Sequence, residues 1–280
     1  KEIEIRMCRH KQASMKDSEM RDGKKSDLEF LVITFQTDEG LSASTFGFAG
    51  RGAAMAGEIA NSIFKPFFLN KDPLYREKHW HDYRMADRWW NHAPIYSYGP
   101  FDINCWLLSS IKAEQPLYKY LGAYRDKVPI YGSSLVLNDA QDYANEALEY
   151  KKRGFNAYKI HPPGKYEIDL EIHKLVRETV GNEFKLMSDP VAPYTFEQAL
   201  RFGRELEKLN YYWYEEPLFD ENFHGLRELT RILDIPIVGT EVLAHHPYSV
   251  AECISSRVVD MVRADVSWSG GITATMKTAH

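Results

Sequence analysis

From residue 128 to the end, the sequence alternates strictly between short apolar runs and longer amphipathic ones. The strand-like runs are VPIYGSS (128–134), AYKIH (157–161), FKLMSD (184–189), YYWYEEP (211–217), IPIVGTE (235–241) and DMVRAD (260–265). Helix-like segments come after them at 139–153, up to about 180, 196–209, 224–233, from near 247, and 271–280. Short apolar runs with polar joints read as strands buried on both faces, and parallel neighbours need a crossover between them. Six consecutive βα units therefore specify a parallel sheet of an α/β protein. Such repeats most often close as an eight-stranded barrel. An open doubly wound sheet is the alternative, but no Gly-rich phosphate fingerprint comes after any of the strands. Six units are two short of an eight-stranded barrel, so the sequence is expected to stop before the last barrel strands.

Residues 1–127 have no such period. Residues 3–5 and 30–37 read as strands, and 11–27, polar and charged, as a mobile loop. Helices are expected over 52–64, 73–91 and 101–111, the last apolar on most sides and so buried. This is an α+β pattern, and the expected division is 1–127 against 128–280. The 280 residues are 44% hydrophobic and 27% charged with net charge −5. That is material for a sizeable core, not for a disordered chain or a disulfide scaffold. The acidic balance, with no basic stripe, argues against a nucleic-acid partner. No apolar run approaches the ~20 residues of a membrane span. Cys8, Cys105 and Cys253 are far apart and in no metal-ligand spacing, which reads as reduced thiols. With no signal peptide visible, a cytoplasmic protein is expected.

In a βα barrel the site lies at the C-terminal ends of the strands. Asp189, Glu215 and Glu241 end three successive strands at intervals of 26 residues. A carboxylate after a strand is also a common helix N-cap. Three of them at equal spacing converge on one volume, however, and must be neutralised. A divalent cation does this, and an all-oxygen ligand set favours Mg2+ over zinc. Glu216 is turned away from Glu215 by strand alternation and is expected as a supporting partner. Lys159 and His161 are two apart on one strand, so both side chains point to one face. Asp265 ends the sixth strand.

The Asp189, Glu215 and Glu241 pattern, in its EEP and GTE settings, resembles the enolase superfamily. Residues 98–124 (YGPFDINCWLLSSIKAEQPLYKYLGAY) look like that family's link into its barrel, and RADVSWSGGIT (263–273) like its sixth strand and following turn. The resemblance implies a modified (β/α) TIM-type barrel with an N-terminal α+β capping domain. It implies a Mg2+ held by Asp189, Glu215 and Glu241, stabilising the enediolate formed when a proton α to a carboxylate is removed. Asp265 in place of a lysine resembles the mandelate racemase-like subgroup, where this aspartate orients a histidine from the seventh strand, expected here beyond His280. That subgroup usually carries Lys-x-Lys on the second strand, its second lysine acting as base. Here that position is His161, which can take the same role. Lys159, expected to be pushed toward its neutral form by nearby cations, would bind the substrate carboxylate or tune His161. The capping domain would choose the substrate, through Arg9, His10 and the 46–51 segment, with His245 and His246 lining the mouth. The activity implied is dehydration of an acid sugar. The alternatives are racemisation or epimerisation of a 2-hydroxy acid, or a non-catalytic member binding a small acid. A homo-oligomer is also implied.

Overall fold

The computed structural model describes residues 1–15, 26–50, 52–89, 93–241 and 246–280. Contacts divide the chain after Asp126 and again after Arg263, where the sequence led us to draw one boundary between 127 and 128. One unit contains Lys1–Asp126, His245–Pro247 and Ala264–His280, and the other contains Lys127–Ala244 and Tyr248–Arg263.

The first unit is built on a three-stranded antiparallel sheet, β1 (Glu2–Met15), β2 (Ser26–Gln36) and β3 (Ser42–Gly50), in chain order. Ile3, Ile33 and Phe35 point into the core while Glu2, Glu4 and Arg6 point out, the period-two pattern of a half-buried sheet. The strands run well into the stretch expected as a loop, and β3 was not expected at all. A ladder is held by backbone hydrogen bonds, so a polar edge strand such as β1 can continue without an apolar pattern. Residues 16–25 lie outside the described residues.

The helices are α1 (Ala53–Ile59), continued through a π-helical turn (Ala60–Phe64) into α2 (Lys65–Phe68), then α3 (Arg76–Trp89), α4 (Ile95–Lys112) and α5 (Leu117–Tyr120). The wider turn immediately precedes Pro66, which has no N–H to give a helix. Aromatic packing fills the core beneath. Phe68 stacks on Phe101 at 5.4 Å, and Tyr83 on Tyr98 at 4.3 Å. The C-terminal helix, α11 (Gly271–Ala279), belongs to this unit because α4 caps it. Buried Asp102 accepts the Thr273 N–H at 2.9 Å and the Thr273 hydroxyl at 2.6 Å. Gly271, at φ 89°, is required there, since a Cβ would collide with the Asp102 carboxylate.

The second unit holds six parallel strands: β4 (Gly132–Ser133), β5 (Ala157–Ile160), β6 (Lys185–Ser188), β7 (Trp213–Glu215), β8 (Ile237–Gly239) and β9 (Met261–Val262). Their order in the sheet is their order in the chain. A doubly wound sheet reverses direction at a switch point, so this monotonic order is that of a barrel wall. Between the strands lie α6 (Ala140–Lys152), α7 (Tyr166–Val180), α8 (Phe196–Lys208), α9 (Phe223–Ile232) and α10 (Pro247–Ser255). Asp139 caps α6, and Thr195 and Gln198 form a reciprocal capping box on α8. Tyr158, Ile160, Leu186, Tyr214 and Ile237 form the outward layer of the strands against Val176, Phe202 and Leu229 of the helices. Each fully buried side chain of this kind contributes about 1.5–3 kcal/mol. Alternation leaves the opposite face to Lys159, His161, Asp189 and Glu215.

Candidate active site

Lys159 is the hub. It is 3% exposed, and its Nζ donates to Asp189 Oδ2 at 2.7 Å and to Glu215 Oε2 at 2.9 Å. His161 reaches the same aspartate, with Nε2 at 2.9 Å from Asp189 Oδ2. Its Nδ1 lies 2.7 Å from the Ser134 carbonyl, and its backbone N–H donates to the Ser134 hydroxyl. Trp213 Nε1 donates to Glu215 Oε2 at 3.2 Å. Arg263, just past β9, spans two acids: Nη1 donates to Glu215 Oε1 and Nη2 to Glu241 Oε1, the latter at 2.5 Å.

Burial opposes every charge in this cluster, and the partners decide which charges survive. For Lys159, burial alone favours the neutral amine, but Asp189 and Glu215 outweigh it and raise its pKa above the ordinary lysine value. The sequence expectation of a lysine pushed toward neutrality rested on a nearby Mg2+; its nearest protein neighbours are carboxylates. Burial likewise works against the Asp189 carboxylate, but the hydrogen bond from His161 and the charge of Lys159 hold its pKa below the usual range. Glu241 is raised, since its burial exceeds the help from Arg263. Glu216 is pushed up to about 8 by burial and by the carboxylates of Asp220, Asp189, Glu241 and Glu215. It lies close enough to the acids to feel them.

The backbone here is strained. Glu216 has φ 41°, and Thr240, a β-branched residue, has φ 78°. Each is fixed from outside. The Glu216 carbonyl accepts the Ala192 N–H at 2.8 Å. The Thr240 hydroxyl donates to the Arg263 carbonyl at 2.9 Å and accepts the Arg263 N–H at 3.2 Å. Thr240 thus ties the ends of β8 and β9 together and sets where Glu241 and Arg263 start.

Of the residues singled out from sequence, Lys159, His161, Asp189, Glu215 and Glu241 stand in this one cluster. Arg9 and His10 lie on β1 of the first unit, where Arg9 pairs with Glu29 at 2.9 Å. Asp265 acts locally in that unit: its Oδ1 accepts the N–H groups of Ser267 and Trp268 in the turn before α11. His245 lies outside the described residues, and His246 stacks on Trp80 at 5.8 Å. Sequence reasoning missed Arg263, Trp213 and Ser134. For Arg263 the signal was its place at the end of the sixth strand, where the site of a βα barrel lies.

Among the described residues no three His, Cys, Asp or Glu side chains already form a metal cage. Lys159 and Arg263 bridge the acids instead. The donor chemistry nevertheless fits a hard divalent cation: three carboxylates face two permanent cations, and Asp189 Oδ1 is buried with no hydrogen-bond partner.

Residues 142–280 match the family model described as enolase C-terminal domain-like. Arabinonate dehydratase of Saccharolobus solfataricus is 33% identical over 247 residues, 84% of this chain and 66% of its own length. The chain belongs to the enolase superfamily. L-talarate/galactarate dehydratase of Salmonella typhimurium is 26% identical over 261 residues, 90% of this chain and 64% of its own length. The chain spans just under two thirds of the length of these curated relatives. The crystal structure of D-glucarate dehydratase from Agrobacterium tumefaciens complexed with magnesium superposes with a TM-score of 0.89 at 29% identity, covering 100% of this chain and 76% of that one. The fold is thus the superfamily's TIM-type barrel with its antiparallel capping sheet, of which this chain holds the larger part.

Proposed function

We propose that this enolase-superfamily protein removes the proton α to a carboxylate and dehydrates an acid sugar. The observation that carries the reading is the convergence of Lys159, His161, Asp189, Glu215, Glu241 and Arg263 at the ends of consecutive parallel strands. Relatives at 33% and 26% identity that are acid-sugar dehydratases support the choice of substrate class. Asp189, Glu215 and Glu241 are the residues that would hold Mg2+. When bound, Mg2+ would supply Lewis-acid stabilisation of the charge that develops on the substrate carboxylate.

The chain's own residues do the rest. His161 is the base: it stands beside Asp189 and is 26% exposed at its side chain, so a substrate can reach it. Its Nδ1 lies against the Ser134 carbonyl, so Nε2, on the Asp189 side, is the nitrogen that would take the proton. Lys159, kept cationic, is placed to neutralise the substrate carboxylate. Arg9, His10, His245 and Asp265 remain proposed substrate-side or supporting residues. A homo-oligomer in the cytoplasm is the proposed setting. No helix among the described residues is long and apolar enough to cross a membrane.

Incubation with a panel of sugar acids and Mg2+, with detection of 2-keto products, tests the reading. A keto product from at least one acid is expected. Deuterium exchange at the α carbon without keto product would replace dehydration by racemisation or epimerisation. Binding with neither would leave a non-catalytic acid-binding protein.

A further inference from the structure

Arg263 sends two guanidinium N–H groups to two different acids, Glu215 and Glu241. These are two of the three carboxylates proposed to hold the metal, and the role inferred for Arg263 rests on that reading. A divalent cation held by those acids would compete with the Arg263 guanidinium for their charge. Both are positive, and at such range like charges repel strongly in a partly buried site. The two cations of the cluster can respond in different ways. Lys159 is only 4% exposed at its side chain and cannot leave. A guanidinium does not deprotonate in a protein, so Arg263 can respond only by moving. Its side chain is 30% exposed and has a way out. Its backbone is pinned on both sides by the Thr240 hydroxyl, so a displacement stays within the side chain.

We propose that Arg263 is a resident competitor of the divalent cation: it bridges Glu215 and Glu241, must be displaced for the metal to bind both, and so holds the site's metal affinity down. The fork geometry matters, because the guanidinium offers a separate nitrogen to each carboxylate, Nη1 to Glu215 and Nη2 to Glu241. A simple structural ion pair predicts a different outcome, since removing it would loosen the acids and weaken metal binding.

The test is Mg2+ titration by calorimetry, with Mn2+ and electron paramagnetic resonance as a second probe, on the purified protein and on Arg263→Gln and Arg263→Lys. Arg263→Gln should bind Mg2+ about tenfold more tightly, and Arg263→Lys, which keeps the charge but loses the two-pronged fork, should fall between. In chelator the thermal midpoint of Arg263→Gln should drop, while in saturating Mg2+ it should match wild type, so the metal-induced shift widens. Equal or weaker Mg2+ binding by Arg263→Gln overturns the proposal. If Arg263→Gln does not fold, Arg263→Lys binding no tighter than wild type overturns it alone. If wild type and both variants bind no Mg2+, the metal reading fails and takes this inference with it.

Discussion

Two polar clusters stand back to back on β6, and they use nearly the same residue types. Ser188 and Asp189 are consecutive, so they face opposite ways. Behind the strand, Ser188 Oγ lies 2.8 Å from His173 Nε2, and His173 Nδ1 lies 2.6 Å from the Asp169 carbonyl. Tyr211 donates to the His173 carbonyl, and Tyr194 to the Asp169 carboxylate. In front, Asp189 faces Lys159 and His161. Burial pushes His173 down to about 4 and Asp169 up to about 6. The rear histidine is therefore uncharged at neutral pH, while Asp169 is sealed in with the Tyr194 hydroxyl donating to it. The front cluster keeps its charges because each has an opposite partner. A histidine and an aspartate become structural or reactive according to what faces them, and one residue of strand register decides which.

The largest effects should come from removing the front charges. Asp189→Asn and Glu215→Gln each take away a proposed metal oxygen and a partner of Lys159. Mg2+ affinity should fall by more than the 10–100-fold typical of residues one layer further out, and turnover should drop to background. Calorimetric titration checks this. Undiminished Mg2+ binding by either variant would strike that residue from the ligand set and remove the sharpest contrast with the rear cluster.

His161→Asn should come next. Asparagine keeps some hydrogen bonding but cannot take a proton. Turnover should fall by about 10²–10⁴-fold while Mg2+ and substrate binding persist, the usual scale for general acid–base catalysis. Near-normal turnover in His161→Asn, together with loss in Lys159→Met, would move the base to Lys159.

How much of this contrast could be read in the sequence depends on which force set each element. The six βα units were legible because parallel strands must be apolar on both faces. The acids were legible because chain order fixes where strand ends lie. Lys159 and His161 on one face came from alternation alone. The rear cluster was not legible: His173 sits in an ordinary amphipathic helix, and its partners come from β6, α7 itself and the turns after β6 and α8, at sequence distances that carry no period. Arg263 escaped because an arginine two residues before a marked aspartate looks like a strand's polar edge. The far end of β1 and the whole of β3 escaped because backbone pairing, not side-chain pattern, extends them. The α4–α11 joint escaped because one buried carboxylate, Asp102, links residues 171 apart.

A pH series tests the rear cluster by itself. In the unfolded chain a histidine titrates near 6.5, whereas His173 in the fold is held down to about 4. Between those values the unfolded chain binds more protons, so stability rises with pH there and is lost as pH falls through the window. The loss from His173 should be about 2 kcal/mol at pH 5 relative to neutral pH. Asp169 works the other way: its raised pKa gives stability at low pH that fades as pH rises through about 6. Comparing wild type with His173→Gln by urea unfolding at pH 7 and pH 5 isolates the histidine. The variant should lose about 2 kcal/mol less than wild type over that range. Identical pH slopes would mean that His173 is not held neutral.

The smallest effect bears on whether the two clusters are independent. Ser188→Ala removes the hydroxyl beside His173 Nε2 and leaves that nitrogen buried without its partner. A buried polar atom stripped of one hydrogen bond costs about 1–3 kcal/mol, and the cavity left by one oxygen is small. Urea unfolding should therefore register a loss of about 1–2 kcal/mol. Asp189 is anchored separately: its N–H donates to the Ile160 carbonyl at 2.9 Å, and its carboxylate is held by Lys159 and His161. If that anchoring suffices, Mg2+ affinity in Ser188→Ala will match wild type despite the lost stability. A parallel loss of metal affinity would show that the rear cluster positions Asp189, and the two faces of β6 would then be one device.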